Sequence, residues 1–264
     1  MLRSLVATSG VPRDRLVAEI KTVHQRHKTS EYVFLIQELP SLVARHPVDR
    51  LTAIYSNAIR CYREGRSKSM ALYPGVEETL RRVREKGTLV IGYTESMAFY
   101  TNYRVRHLGL DLLMDYVYSP EDHDIPPNVD LEKLRLYPKQ SYELTHAQHR
   151  YTPKAQLKPS STVLKKILND LRVAIPDCIY VGDSLMKDVS MANEVGVTSV
   201  HAAYGEAHER KQYELLKEVT HWSDEDVMRE KTYKPGIASY SLKHSFSELL
   251  DIFDFRRQGA TTHG

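Results

Sequence analysis

The sequence of 264 residues lacks the features that mark several large classes of protein. Its two cysteines, Cys61 and Cys178, cannot form a disulfide framework. No apolar run is long enough to cross a bilayer, and the apolar stretch at the N-terminus is too short for a secretory signal. A net charge of +3 is too small to favour nucleic acid or an anionic membrane. We therefore expect a cytoplasmic protein with no nucleic acid and no membrane as partner.

The patterns that are present divide the chain into two parts. Residues 1–73 are predicted to form a helical domain, because apolar residues repeat at helical spacing, as at Leu16, Ile20 and Val23. In 74–264, helical patterns alternate with short apolar runs. That alternation predicts an α/β core, a Rossmann-like doubly wound parallel sheet with helices on both faces. Polar stretches at about 120–156 and 206–236 interrupt the rhythm and are predicted to be insertions.

Several polar residues follow the predicted strands, where parallel α/β sheets bind ligands. The stretch "VGDSLMKDVS" places Asp183 and Asp188 after the apolar run 178–181. Oxygen ligands in pairs suit Mg²⁺, which keeps several waters and takes one or two protein carboxylates. We expect Gly182 to let the backbone turn sharply out of the strand. The alternative is that Asp183 caps a helix that begins near Ser184.

Two further candidates are Thr94 and Lys158. Thr94 comes just after the run Leu89–Ile91, which is predicted to be a strand buried on both faces, and its hydroxyl could donate to a phosphoryl oxygen. Lys158 stands just before a predicted helix, where an ammonium group can neutralise a phosphate or hold a carboxylate. The alternatives are a helix N-cap for Thr94, with Ser96 as competitor, and an ordinary surface lysine for Lys158.

The order and spacing of these motifs resemble the haloacid dehalogenase-like (HAD) hydrolase superfamily, which consists mostly of phosphatases. The resemblance covers residues 73–205 and is most specific in "VGDSLMKDVSMANEVGV". It implies that Thr94 and Lys158 are catalytic and bind the phosphoryl group, and that Asp183 and Asp188 hold Mg²⁺. It also implies a small phosphorylated metabolite as partner and makes residues 1–73 an α-helical cap domain.

The first motif of that family is missing. It is an aspartate nucleophile in the pattern Asp-x-Asp-x-Thr/Val, on a strand in the middle of the sheet. The triplet Asp122-His123-Asp124 follows Thr94 instead of preceding it and lies in a polar stretch. We expect a core without its first central strand, two unpaired strand edges and an inactive chain, either because translation was assigned to start too late or because the chain was shortened.

Three functions stay open at this point. The first is a Mg²⁺-dependent phosphatase that works through an aspartyl-phosphate, seen here without its nucleophile. The second is a catalytically inactive phosphate- or metal-binding or regulatory protein. The third is a dehalogenase, whose chemistry needs no metal, so a requirement for Mg²⁺ separates it from the first.

Overall fold

The computed structural model describes residues 1–154, 156–205, 217–223, 225, 228 and 236–255. Within them, helices and strands alternate after a purely helical start. The helices are α1 (Leu2–Ser9), α2 (Arg13–His27), α3 (Leu35–Glu38), α4 (Pro40–Val43), α5 (Val48–Ile54), α6 (Ser56–Ser69), α7 (Val76–Glu85), α8 (Ala98–His107), α9 (Leu131–Leu134), α10 (Ser161–Leu171), α11 (Ser190–Val195) and α12 (Leu249–Ile252). The strands are β1 (Ile91–Tyr93), β2 (Tyr116–Pro120), β3 (Gln148–Thr152), β4 (Ile179–Gly182), β5 (Thr198–Ala202) and β6 (Tyr240–Leu242).

The first of two compact units is helical. It comprises Met1–Ala71, Asp122–Ser141 and the described residues of His208–Thr232. The helices α1 to α6 agree with the helical pattern predicted for residues 1–73, because the apolar stripes pack together into one core. Its largest fully buried side chains are Leu5, Val11, Leu16, Val23, Leu39, Leu42, Leu51 and Tyr55. Part of the insertion predicted at 120–156 joins this unit, whereas most of the insertion predicted at 206–236 lies outside the described residues.

The second unit comprises Leu72–Glu121, Tyr142–Ala207 and the described residues of Tyr233–Gly264. Its described strands form two three-stranded sheets, in the orders β1-β2-β3 and β4-β5-β6, and every pairing is parallel. Helices such as α10 and α11 connect them and supply apolar faces to the core. The predicted α/β class is therefore confirmed. The described strands pair as two sheets, and β1 and β4 are each paired on one side, which agrees with the expectation of two unpaired strand edges.

Two expectations about strands are wrong. The strand expected at Leu89–Ile91 is β1, two residues later, and Leu89 is exposed. The strand β1 is only half-buried, whereas burial on both faces was expected. Within the described part of the chain, β1 pairs with β2 alone, and β4 likewise pairs with β5 alone. The second error is β3, which lies inside a stretch predicted to be an insertion. Its sequence "QHRYT" has no apolar alternation, because β3 forms the outer edge of its sheet and Tyr151 faces solvent.

Candidate active site

Two of the predicted site residues follow the carboxyl ends of β1 and β4, one strand from each sheet of the second unit. Thr94 follows β1, and Asp183 follows β4. Lys158 precedes α10, whose N-cap Ser160 accepts a hydrogen bond from a backbone N–H of the first turn. This placement agrees with the rule that parallel strands present ligand sites at their carboxyl ends.

Lys158 is held from several directions. Its Nζ donates to Oδ1 of Asp188 at 2.9 Å and to the carbonyl oxygen of Tyr93 at 3.1 Å. The same ammonium lies 4.6 Å from the ring centroid of Tyr93 and 5.6 Å from that of Tyr180, within range of cation–π attraction. Only 12% of the Lys158 side chain is exposed. The surface-lysine alternative is therefore wrong, since the side chain is largely covered and its ammonium group is fixed by several contacts.

Asp188 is the buried counterpart of Lys158. Besides that ammonium, its carboxylate accepts hydrogen bonds from the Tyr180 hydroxyl at 3.2 Å and from the Ser184 backbone N–H at 3.2 Å. Burial, and then the charge of Asp188, raise the pKa of Tyr180 well above its ordinary value, so the phenol stays a donor. Asp188 is thus a carboxylate with several donors already in place.

Gly182 makes room for Asp188. A Cβ at this position would lie 2.3 Å from the Cβ of Asp188, a separation that real side chains do not tolerate. The turn after β4 does not use a positive φ at Gly182. The glycine is needed because the returning chain brings the buried carboxylate against the strand end.

Asp183 differs from Asp188 in its exposure and in its contacts. As a residue it is exposed, and within the described part of the chain no other residue gives it a hydrogen bond or an ion pair. Partial burial of its carboxyl group and then the negative charge of Asp188 raise its pKa, against opposing effects of Lys158 and His201.

The helix-cap alternative for Asp183 is also wrong. Ser184 is the N-cap, since its Oγ accepts a hydrogen bond from the Lys187 backbone N–H at 3.1 Å. The segment it caps, Leu185–Val189, is a π-helical turn that leads into α11. The carboxylate of Asp183 is consequently left for another partner.

The two carboxylates fit the predicted Mg²⁺. A carboxylate whose pKa is raised by a neighbouring negative charge is stabilised by an added cation. Asp183 would be a direct ligand, and Asp188 would support it while it stays bound to Lys158. Among the described residues no group of three or more His, Cys, Asp or Glu side chains could hold a metal. Mg²⁺ needs fewer protein ligands than that, because it retains water.

Thr94 extends the first sheet and turns its hydroxyl to the loop. Its backbone N–H donates to the carbonyl of Tyr118 at 3.0 Å, and its Oγ1 accepts the Ser96 backbone N–H at 3.1 Å. The predicted N-cap role is wrong for both residues, because α8 begins at Ala98 after Met97. Since Oγ1 accepts from Ser96, its own O–H proton can be donated elsewhere.

Sequence reasoning missed Glu95 at this site. Its Oε2 accepts from the Nζ of Lys187 at 2.8 Å, and its Oε1 accepts from the backbone N–H of Lys158. Both side chains of the Glu95–Lys187 pair are less than a quarter exposed. The signal available in the sequence was that Glu95 follows Thr94 directly and that Lys187 precedes Asp188, but no periodicity connects positions so far apart.

The Asp-x-Asp triplet whose three residues are all described places no carboxylate on a strand. Asp122-His123-Asp124 belongs to the helical unit and lies on no helix or strand. A second triplet, Asp224-Glu225-Asp226, is C-terminal to every motif of the site, and its two aspartates lie outside the described residues.

Comparison with known proteins identifies the family of this segment. Residues 157–225 match a family model described as HAD-hydrolase-like. This segment, which lies mostly in the α/β unit, is HAD-hydrolase-like. This match contains Lys158, Asp183 and Asp188 and confirms the resemblance derived from the motifs.

Two other comparisons add no functional information. The crystal structure of 2-haloacid dehalogenase from Pseudomonas syringae pv. Tomato DC3000 aligns with a TM-score of 0.47 and 14% identity, over 95% of this chain and 86% of that one. A likeness at that level bears on neither substrate nor mechanism. No curated protein matches the sequence. Among the described residues, no helix is long and apolar enough to cross a membrane.

Proposed function

We propose that the site binds Mg²⁺ together with the phosphoryl group of a small phosphorylated metabolite, as the metal- and phosphate-binding core of a Mg²⁺-dependent phosphatase. The observation that carries this proposal is the contrast between two adjacent carboxylates. Asp188 is buried and paired with Lys158, whereas Asp183 is exposed and takes no ion pair from a described residue. A cytoplasmic location and a cap role for the helical unit belong to the same proposal.

Each side chain has a defined task in binding. Lys158 supplies positive charge, and its ammonium is fixed by Asp188 and by the Tyr93 carbonyl. Thr94 supplies a hydroxyl proton at the end of β1. Mg²⁺, when bound, neutralises charge on the phosphoryl oxygens. Asp183 would hold that ion by its open carboxylate.

Hydrolysis through an aspartyl-phosphate needs one more carboxylate, as nucleophile. The carboxylates found at the site are already committed, since Glu95 and Asp188 bind lysines and Asp183 is assigned to the metal. We therefore expect these 264 residues to bind phosphate and Mg²⁺ without hydrolysing a phosphoester. The lysine contacts of Glu95 and Asp188 are also the observation that favours the second candidate, an inactive binding protein.

Calorimetric titration of the chain with inorganic phosphate, with and without MgCl₂, tests the proposal. We expect phosphate binding that requires Mg²⁺ and is lost in Asp183→Asn. Asp251→Asn is the matched control, because Asp251 is an exposed carboxylate on α12 of the same unit. Phosphate binding that ignores both Mg²⁺ and the Asp183 substitution would overturn the metal assignment.

Turnover assays separate the remaining functions. Hydrolysis of p-nitrophenyl phosphate by this chain would mean that a carboxylate outside the present assignment acts as nucleophile. Metal-dependent binding without hydrolysis would favour the binding protein. Release of halide from a haloacid in the absence of Mg²⁺ would favour the dehalogenase and reject the phosphatase.

A further inference from the structure

We propose that Glu95 is the positioning residue that sets the place of Lys158 at the site. Glu95 accepts the backbone N–H of Lys158 with one carboxylate oxygen and the Nζ of Lys187 with the other. Its partners lie 63 and 92 residues further along the chain. One side chain thus joins the segment after β1, the segment before α10 and the π-helical turn after β4.

The two ends of Lys158 are held by different groups. Its ammonium is bound by the Tyr93 carbonyl and by Asp188, while its backbone N–H is bound by Glu95. A lysine has a flexible four-carbon stem, so an ammonium is placed accurately only when the backbone that carries it is also fixed. Glu95 supplies that backbone anchor.

The pairing with Lys187 explains why an acid is found at this position. The Glu95 side chain is 22% exposed and that of Lys187 is 15% exposed, so both charges lie largely out of water. Such a pair fixes the direction of the carboxylate, because each group compensates the other. The contact between Oε2 and Lys187 thereby helps to orient Oε1, which accepts the backbone N–H of Lys158.

Three variants separate the anchor from the ion pair. Glu95→Gln keeps an oxygen that can accept the Lys158 N–H, Glu95→Ala removes both contacts, and Lys187→Met removes the ion pair with Glu95 but leaves the Glu95 carboxylate in place. For inorganic phosphate in the presence of MgCl₂, we expect Glu95→Ala to raise Kd about tenfold, the equivalent of one lost hydrogen bond. Glu95→Gln and Lys187→Met should stay within about threefold of the parent. Glu77→Ala is the control, because Glu77 forms an exposed ion pair on α7.

Hydrogen exchange at the Lys158 amide tests the anchor without any ligand. We expect slow exchange in the parent and in Glu95→Gln, and exchange about tenfold faster in Glu95→Ala. Equal exchange in the parent and Glu95→Ala, or equal losses of phosphate affinity in Glu95→Gln and Glu95→Ala, would overturn the proposal. The phosphate readout rests on the proposed function. If the parent binds no phosphate, that function fails, and the exchange measurement alone decides the role of Glu95.

Discussion

Two aspartates of the α/β unit, Asp111 and Asp183, show how differently one residue type is used. The Asp111 side chain is 5% exposed and accepts the backbone N–H groups of Thr145, His146 and Ala147, together with the Thr145 hydroxyl. Asp183 is exposed and takes no hydrogen bond or ion pair from another described residue. The first carboxylate is part of the scaffold, and the second is open to a ligand.

The pKa shifts of these two groups have opposite directions. Burial acts to raise the pKa of Asp111, but the hydrogen bonds from Thr145, Ala147 and His146 outweigh it and hold the pKa well below its usual range. At Asp183 burial and the charge of Asp188 act together, so the pKa is raised. A saturated carboxylate contributes stability, whereas a carboxylate beside a like charge costs stability until a cation binds.

The largest effect on the free energy of unfolding should come from removing the ammonium group of Lys158, which binds Asp188. Lys158→Ala leaves the buried Asp188 without its ammonium, and we expect the free energy of unfolding to fall by about 3–5 kcal/mol. Urea unfolding at pH 7 measures it. The double variant Lys158→Met with Asp188→Leu should recover most of that stability and bind no phosphate. A loss below about 1 kcal/mol in Lys158→Ala would contradict the assignment of a tightly coupled pair.

The next effect concerns the scaffold carboxylate. Asp111→Ala leaves three backbone N–H groups without their acceptor, and we expect a loss of about 3 kcal/mol in urea unfolding. Asp111→Asn should lose less, because its amide oxygen still accepts. The stability contributed by Asp111 is fully present above its unfolded pKa of about 3.9 and falls as pH drops below that value. Equal losses for Asp111→Ala at pH 7 and pH 3 would contradict this account.

Glycine substitutions compare how much room there is for a side chain at Gly182 on β4 and at Gly92 on β1. In Gly182→Ala the new methyl would lie 2.3 Å from the Cβ of Asp188, and we expect a loss of about 1–3 kcal/mol. Gly92→Ala on β1 is the matched control. Its methyl would lie 3.3 Å from the sulfur of Met114, a flexible side chain that can move. Thermal unfolding of both variants measures the difference, and equal melting temperatures would show that β4 tolerates the extra atom.

The smallest effect on the free energy of unfolding, and the only one that should not be a loss, is expected for Asp183. Asp183→Asn should change the free energy of unfolding by less than about 0.5 kcal/mol and should not lower it, because repulsion from Asp188 is removed. A raised pKa in the folded state means that the stability of the parent falls as pH rises from about 3.9 through the folded value. Thermal unfolding of parent and variant at pH 3.5 and pH 7 checks this: the variant should gain on the parent only at the higher pH. A clear loss of stability at pH 7 would mean that Asp183 has a structural role.

Much of the fold and of the site could be predicted from local patterns. The "GDSLMKD" stretch carries its own glycine and carboxylates within seven residues, so a sequence motif was enough to find Asp183 and Asp188. The strand β3 was missed because an edge strand needs no apolar alternation. Glu95 was missed because its partners are 63 and 92 residues away and share no spacing with it.

By itself, the sequence determined the helical start, the α/β alternation and the order of the Thr94, Lys158 and Asp183 motifs, because each depends on short-range spacing. Only the tertiary structure decided what each residue does there. It pairs Lys158 with Asp188, leaves Asp183 open and brings Glu95 to the backbone of Lys158. Among the described residues, it also pairs β1 and β4 with a neighbouring strand on one side only. The physical reason is that burial, ion pairing and strand pairing depend on distances between segments remote in the chain, which no local pattern encodes.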